Sequence, residues 1–301
     1  HRVDNFISGS TGHIKMPDQF TGSLNKFYGG NRNTNVPAVG GRIAGLGILW
    51  NMKGKKHWSD YNKMRDMLIY NTTHLSPFNK FGCVSVREVY WTIKAHLGGG
   101  NELIRQLAWR DFFYNLSATH PYIYTTGNMN KKWDAIKWEN NLAKWKAWCE
   151  GRTGFPVVDA CMAEINTTGY MHNRGRLIVS NFLVRLLHID WRWGERYFAQ
   201  HLYDYDPAQN SFGWQINAAV SGTESRPINQ TILNPWIQSA KYDPDANYIK
   251  KWLPKFANIP ASDIHHWGEK HEKYKELDYP KPIIDYNQEK AHNLQLYARI
   301  R

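Results

Sequence analysis

The sequence predicts an all-α fold, and three observations carry that reading. Apolar residues recur at helical spacing in two stretches: Leu103, Leu107 and Phe113 with Arg105, Arg110 and Asp111 between them, and Leu177, Ile178, Phe182, Leu183, Leu186 and Leu187. Alternating strand-like runs bounded by hairpin turns are scarce. Gly154–Pro156, Gly169 and Asp206-Pro207 stand where helices would start or stop rather than where hairpins would turn.

Taken in order, residues 1–39 are rich in Gly, Asn, Ser and Thr, without a period, and read as an irregular leader or linker. The helical pattern begins near Gly41, and residues 40–258 read as one large helical domain with no internal repeat. The glycines of 40–47 and Gly98-Gly99-Gly100 fit turns, because they match neither a dinucleotide-binding nor a Walker loop. Thr72-Thr73-His74-Leu75-Ser76-Pro77 precedes a helix whose first turn the proline marks. Residues 259–301 extend the same domain through Tyr279-Pro280 and Lys281-Pro282 to a basic terminal helix from about Gln288. His265-His266 and His271 read as a solvated tail, and no metal site is expected.

Composition narrows the partners. At 301 residues the chain can bury a sizeable core. A net charge of +12 favours a polyanion such as nucleic acid, with solubility as the plain alternative. No apolar run is long enough to span a membrane, and HRVDNFISGSTG lacks the apolar segment of a signal peptide. Cys83, Cys149 and Cys161 are odd in number and scattered, which fits a reducing compartment; a soluble intracellular protein, cytoplasmic or nuclear, is expected. Fourteen Trp are too many to leave exposed, so they belong in a core, a groove or against an aromatic ligand.

Several constellations carry chemistry. The hydroxyls of Thr72, Thr73 and Ser76 can donate to a phosphate together with backbone N–H groups, or simply cap a helix. Arg176, if buried, needs a carboxylate, and Asp204 is a candidate; Asp204 and Asp206 could equally be a metal-binding Asp-x-Asp pair or a solvated turn. Lys250, Lys251, Trp252, Lys255 and Phe256 mix cations and rings as single-stranded nucleic acid would require, although solvated helix faces explain most such runs. Trp133, Trp138, Trp145 and Trp148 are closely spaced, followed by Trp191, Trp193 and Trp214.

Together these segments resemble the flavin-binding half of the photolyase and cryptochrome family. The resemblance runs through Thr72–Gly82 (TTHLSPFNKFG), Gln106–Phe113 (QLAWRDFF), Trp148–Asn173 (WCEGRTGFPVVDACMAEINTTGYMHN) and Ile189–Trp191 (IDW). It continues through Asp204–Trp214 (DYDPAQNSFGW), residues 234–254 and DYPKPIID at 278–285. It implies an all-helical domain holding FAD, without the α/β antenna domain that precedes it in the family. Tyr61, Thr72, Thr73, Leu75 and Ser76 would hold the diphosphate. Trp109, Arg110, Asn173, Arg176, Asp204, Asp206 and Asn210 would line the cofactor, with Arg176 paired to Asp204 and Asn210 at the flavin N5. Trp214, Trp191 and Trp138 match the family's electron chain, leaving Trp145, Trp148 and Trp193 as core or surface filler.

The implied activity is light-driven repair of cyclobutane pyrimidine dimers, by electron transfer from reduced flavin to a lesion flipped out of DNA. Arg174, Arg226, Trp109 and Gln106 would meet the DNA, and a separate antenna domain or chain is the further partner implied. The chain departs from the dimer-repair pattern at three places. Gln106 replaces an acid, Ile216 replaces a tryptophan, and Pro227-Ile228-Asn229-Gln230-Thr231 replaces an aromatic and arginine run. All three are expected on the lesion pocket and DNA face. The same-family alternative is a photoreceptor that photoreduces FAD without repair. A non-enzymatic nucleic-acid-binding protein and a metal-dependent glycosyltransferase are the alternatives from other classes.

Overall fold

The computed structural model describes residues 35–36, 40–53, 56–124, 127–223 and 227–300. The chain divides into His1–Asn35 and Val36–Arg301, and the helices described all belong to the latter. The expected leader therefore lies almost wholly outside the described residues, as does Arg226. Among the described residues there is no β-strand.

The first helices are α1 (Arg42–Trp50), α2 (Tyr61–Met64), α3 (Ser76–Lys80), α4 (Val86–Leu97) and α5 (Glu102–Thr119). They are followed by α6 (Leu142–Glu150), α7 (Pro156–Thr168), α8 (Asn173–Asn181), α9 (Trp191–His201) and α10 (Pro207–Asn217). The chain closes with α11 (Pro235–Tyr242), α12 (Asn247–Trp252), α13 (Ala261–His265), α14 (Trp267–Lys270) and α15 (Tyr286–Ala298).

Local chemistry sets the boundaries. Ser85 and Glu88 close a reciprocal capping box on α4, and Asn101, Asn141, Asp190, Asp206, Asn234 and Asp285 each accept from the first turn they precede. Pro156 and Pro207 open α7 and α10, where a missing N–H costs nothing. Gly169 ends α7 in the left-handed region at φ 71°. Gly41 and Gly98 take positive φ as turn glycines should, but Gly45 and Gly47 lie inside α1. A Cβ on Gly45 would meet Val84 and Phe78 within about 3.0 Å, so the helix uses that glycine for close packing, not for a turn.

The run Leu177–Leu187 is not one regular helix. After α8 it passes through a π-helical turn at Phe182–Leu186, all of it buried. The turn buries Arg185, whose guanidinium donates to Asn293 (2.9 Å), Thr231 (2.7 Å) and the Ile228 carbonyl (3.3 Å). Helical periodicity alone could not show that a charged residue sits fully inside this apolar stretch.

Two hydrophobic clusters organise the fold. The larger surrounds α7, α8 and the π turn, with Trp148, Phe155, Phe182, Tyr248, Phe256, Trp267 and Tyr297 fully buried. The smaller joins α1, α3 and α4 through Leu49, Met52, Phe78, Val84, Val89 and Ile93. The segment after residue 258 is not a solvated tail. His265 is buried between Ser239 (2.7 Å) and the Pro244 carbonyl (3.0 Å). Ile283 donates to the Thr153 carbonyl at 3.0 Å, and Tyr279 donates to the buried Asp159 carboxylate. The positive-φ Gly154 permits this docking, because a Cβ there would lie 2.3 Å from the Lys281 carbonyl oxygen.

Candidate functional site

A cavity of about 610 Å³ opens between two walls, one contributed by residues 61–113 and the other by residues 170–217. That volume lies within the range of small-molecule sites, roughly 300–1,000 Å³. Tyr61, Thr72, Thr73, Leu75, Ser76, Gln106, Trp109 and Arg110 line the first wall. Asn173, Arg174, Arg176, Asp204, Asp206, Asn210 and Trp214 line the second, with Ile216 beside them. The fold thus gathers almost every candidate residue around one space. Trp138 and Trp191 are absent from it and belong to the main hydrophobic cluster.

The polar centre is the ion pair expected from the sequence. Nη2 of Arg176 donates to both Asp204 carboxylate oxygens at 3.0 and 2.9 Å, and Nε donates to the Met171 carbonyl at 2.8 Å. The Asp204 side chain is 3 % exposed, so the pair is shielded on the carboxylate side. Ser76 also donates to Asp204, at 2.6 Å. Its hydroxyl therefore serves the ion pair rather than capping α3, whose first turn has no side-chain cap. The Asp-x-Asp reading as a metal pair finds no spare oxygens here. Asp206 caps α10 through Ala208 (3.0 Å) and Gln209 (3.2 Å), accepts from Tyr114, and faces Lys80 at 3.6 Å.

The hydroxyl end of the cavity is organised by Tyr170, which sequence reasoning did not single out. Its hydroxyl bonds Thr72 (3.2 Å), its ring lies 4.5 Å from His74 and 5.8 Å from Tyr203, and Arg176 sits 5.5 Å above it. Burial pushes the Tyr170 hydroxyl up to about 12, so it stays neutral beside Arg176. The available signal was its place directly after the helix-ending Gly169, where its N–H donates to the Thr168 hydroxyl at 3.0 Å. His74 takes φ 51° and bonds Asn71 at 2.9 Å.

Four lining residues carry buried polar atoms with no hydrogen-bond partner: Nδ1 of His74, Oδ1 of Asn79, Nε2 of Gln106 and Nε of Arg174. Buried polar groups are nearly always paired, so these four enclosed atoms are unused hydrogen-bonding capacity in side chains that line the cavity, within a ligand's reach only if those side chains turn. Arg174 is otherwise held in the wall by Asp66 at 2.7 Å and by the Tyr242 ring, and its side chain is 15 % exposed. It is a cavity residue more than a surface one. Trp109, by contrast, is 46 % exposed at the rim, with Phe112 and Phe113 against it.

Asn210 lies one turn into α10, its N–H on the Asp206 carbonyl at 2.8 Å. Its Nδ2 donates to the Glu195 carbonyl (3.2 Å) and carboxylate (3.0 Å), which fixes the amide. Trp214, one turn further, is buried between the cavity and α9; a Cβ on Gly194 would come within 2.1 Å of its ring. Trp191 lies on that same helix, 3 % exposed, with its indole N–H on Asn128 at 2.8 Å. Trp138 is half-buried. Trp148 contacts Trp214 at 6.3 Å and stacks on Trp145 at 5.4 Å, which meets Trp193 at 5.5 Å. The segment 227–231 does not line the cavity; Thr231 and Ile228 are spent on Arg185. That departure from the family pattern therefore falls outside the pocket, whereas Gln106 and Ile216 fall within it.

Residues 103–299 match the sequence profile of the FAD binding domain of DNA photolyase. The deoxyribodipyrimidine photo-lyase of Vibrio cholerae is 37 % identical over 246 residues, covering 79 % of this chain and 52 % of that protein. The Escherichia coli protein of the same name is 36 % identical over 250 residues, covering 80 % and 52 %. Among solved structures, an archaeal photolyase from Sulfolobus tokodaii with two FAD molecules superposes with a TM-score of 0.77 at 39 % identity, covering 88 % of this chain and 57 % of that one. A Synechocystis cryptochrome gives 0.78 at 29 % identity, covering 88 % and 58 %. The chain spans about half the length of the curated relatives it matches. Among the described residues no helix is long and apolar enough to cross a membrane.

Proposed function

The chain belongs to the family of FAD-binding domains of DNA photolyases, whose cofactor is FAD, and from that premise we propose that it serves light-driven repair of cyclobutane pyrimidine dimers in DNA. The observation that carries this reading is the Arg176–Asp204 pair set in the wall of one cavity of cofactor size, among the hydroxyls and amides expected there. Bound and fully reduced, FAD would supply the photoexcited electron that splits the dimer and then returns.

The chain's own residues would do the rest. Thr72 and Thr73 would meet the diphosphate, with Tyr61 and Leu75 closing the wall around it. Ser76 would act one step back, by holding Asp204. Arg176, kept charged by Asp204, would place a fixed cation beside the ring system and stabilise negative charge there. With Nδ2 on Glu195, Asn210 would present its remaining amide oxygen to a ring N–H. Gln106, in the cavity wall, would turn its amide to a pyrimidine edge, and exposed Trp109 would stack on the flipped base. The net charge of +12 suits a surface that tracks phosphates.

The test is loss of a thymine dimer from an oligonucleotide treated with photoreduced protein under near-ultraviolet to blue light, against a dark control. Light-dependent loss is the expected result. Flavin photoreduction without dimer loss would overturn repair and leave a photoreceptor as the reading. Trp214→Phe should slow or stop photoreduction by external thiols while chemically reduced protein still repairs; photoreduction at the unaltered rate would remove Trp214 from the electron path.

A further inference from the structure

Away from the cavity, three side chains from distant parts of the sequence converge. Glu139, His188 and His292 each offer a ligand atom, and these atoms lie within 4.8 Å of one another. Glu139 and His188 are locked together by the backbone, the Glu139 N–H donating to the His188 carbonyl at 2.9 Å. His292 reaches in from α15, with Nε2 2.8 Å from Glu139 and its ring 4.7 Å from that of His188.

The independent sign of a ligand is in His188 itself. Its side chain is fully buried, Nε2 lies 2.7 Å from the Glu289 carboxylate, and Nδ1 is buried with no partner. A carboxylate can only accept, so the ring proton sits on Nε2 and the neutral imidazole keeps a lone pair on Nδ1. A carboxylate on one ring nitrogen and an unused lone pair on the other is how proteins orient a metal-binding histidine. Lys144, 3.0 Å from Glu289, already balances that carboxylate, whereas Glu139 meets the His292 imidazole, whose Nε2 proton a metal ion would displace.

We propose that Glu139, His188 and His292 form a binding site for a divalent cation of the zinc class. Two imidazoles and one carboxylate are a borderline-soft donor set that suits zinc and not magnesium or calcium, and three protein ligands leave a fourth position for water. Tetrahedral ligands at zinc distances stand about 3.3 Å apart, so the side chains must close slightly around the ion. Glu139 and His292, 41 % and 45 % exposed, are free to do so. The ion would fasten α15 to the segments that carry Trp138 and Trp191. Sequence spacing gave no hint of the site, because its ligands are brought together only by tertiary packing.

Equilibrium dialysis of the full chain with its flavin against zinc chloride, followed by metal analysis and thermal unfolding, tests the proposal. One zinc per chain is expected, with a midpoint raised by about 5 °C at a hundredfold excess over Kd. His292→Ala and Glu139→Gln, both at exposed positions, should each weaken zinc binding at least about tenfold while flavin content is unchanged. Absence of saturable binding would leave the cluster as two hydrogen-bonded pairs, His188–Glu289 and His292–Glu139, and overturn the proposal. So would zinc binding that both variants leave untouched, or a shift produced by magnesium and not by zinc.

Discussion

The two walls of the cavity are built by different means. The wall from residues 170–217 grows out of the larger hydrophobic cluster, and its buried polar side chains are committed: Arg176 to Asp204, Asp206 to the start of α10, and His172 to the start of α8. The wall from residues 61–113 rests on the smaller cluster and presents one open ring to the cavity, that of Trp109; Phe112, Trp91 and Phe81 are exposed as well but do not line it. The 170–217 wall couples ligand binding to folding, since removing one partner strands another in a buried place. The 61–113 wall can change its face to the ligand at little cost to the fold. Gln106 and Trp109 lie on that freer side, whereas Ile216 lies on the committed one.

Replacing Asp204 with Asn should break the contrast most severely. Arg176 would lose its counter-charge, and breaking a buried pair costs about 3–5 kcal/mol. Urea unfolding should show that loss together with release of flavin. A stability equal to that of a Trp109 variant would mean that the two walls are not distinct after all.

The committed wall should also be the acid-sensitive one. His172 is 3 % exposed and caps α8 by accepting from the Arg174 N–H at 3.1 Å, which requires a neutral ring. Burial, with Arg176 adding to it, pushes its pKa down to about 4. The unfolded chain takes up that proton near 6.5, so the contribution is full above that pH and is lost as pH falls toward 4, amounting to about 3 kcal/mol. His172→Asn keeps a capping oxygen without a titrating group. Denaturation between pH 7 and pH 4.5 should therefore show a shallower decline in the variant, and parallel declines would remove His172 from the account.

Trp109→Ala sharpens the contrast from the other side. At 46 % exposure the substitution should leave flavin content unchanged and cost little stability. Binding to dimer-containing DNA should fall about tenfold or more, because stacking on one base is worth about 1–3 kcal/mol. Binding titrations on damaged and undamaged oligonucleotides would separate this from a general loss of affinity. The smallest effect is expected where the walls touch. Tyr114→Phe removes the hydroxyl that α5 donates to Asp206, and should cost about 1 kcal/mol. Faster flavin release with little change in unfolding would show that this contact holds the walls together.

What the amino-acid order determined by itself is local. Pro156, Gly169, Asp206-Pro207 and the Asn and Asp caps mark helix ends through chemistry confined to a few neighbouring residues, and the helices end where those residues stand. The Arg176–Asp204 pair was legible because a buried guanidinium must find a carboxylate, and the family resemblance named which one. Tertiary structure decided what depends on distant neighbours. It gave the Ser76 hydroxyl to Asp204 instead of a helix cap, made Tyr170 the hub of the cavity, buried His265, and bolted residues 228 and 231 to Arg185. It also brought Glu139, His188 and His292 together from three separate segments. Capping and proline geometry act within one turn of chain, whereas the partner of a buried polar group is set by which helices pack against it.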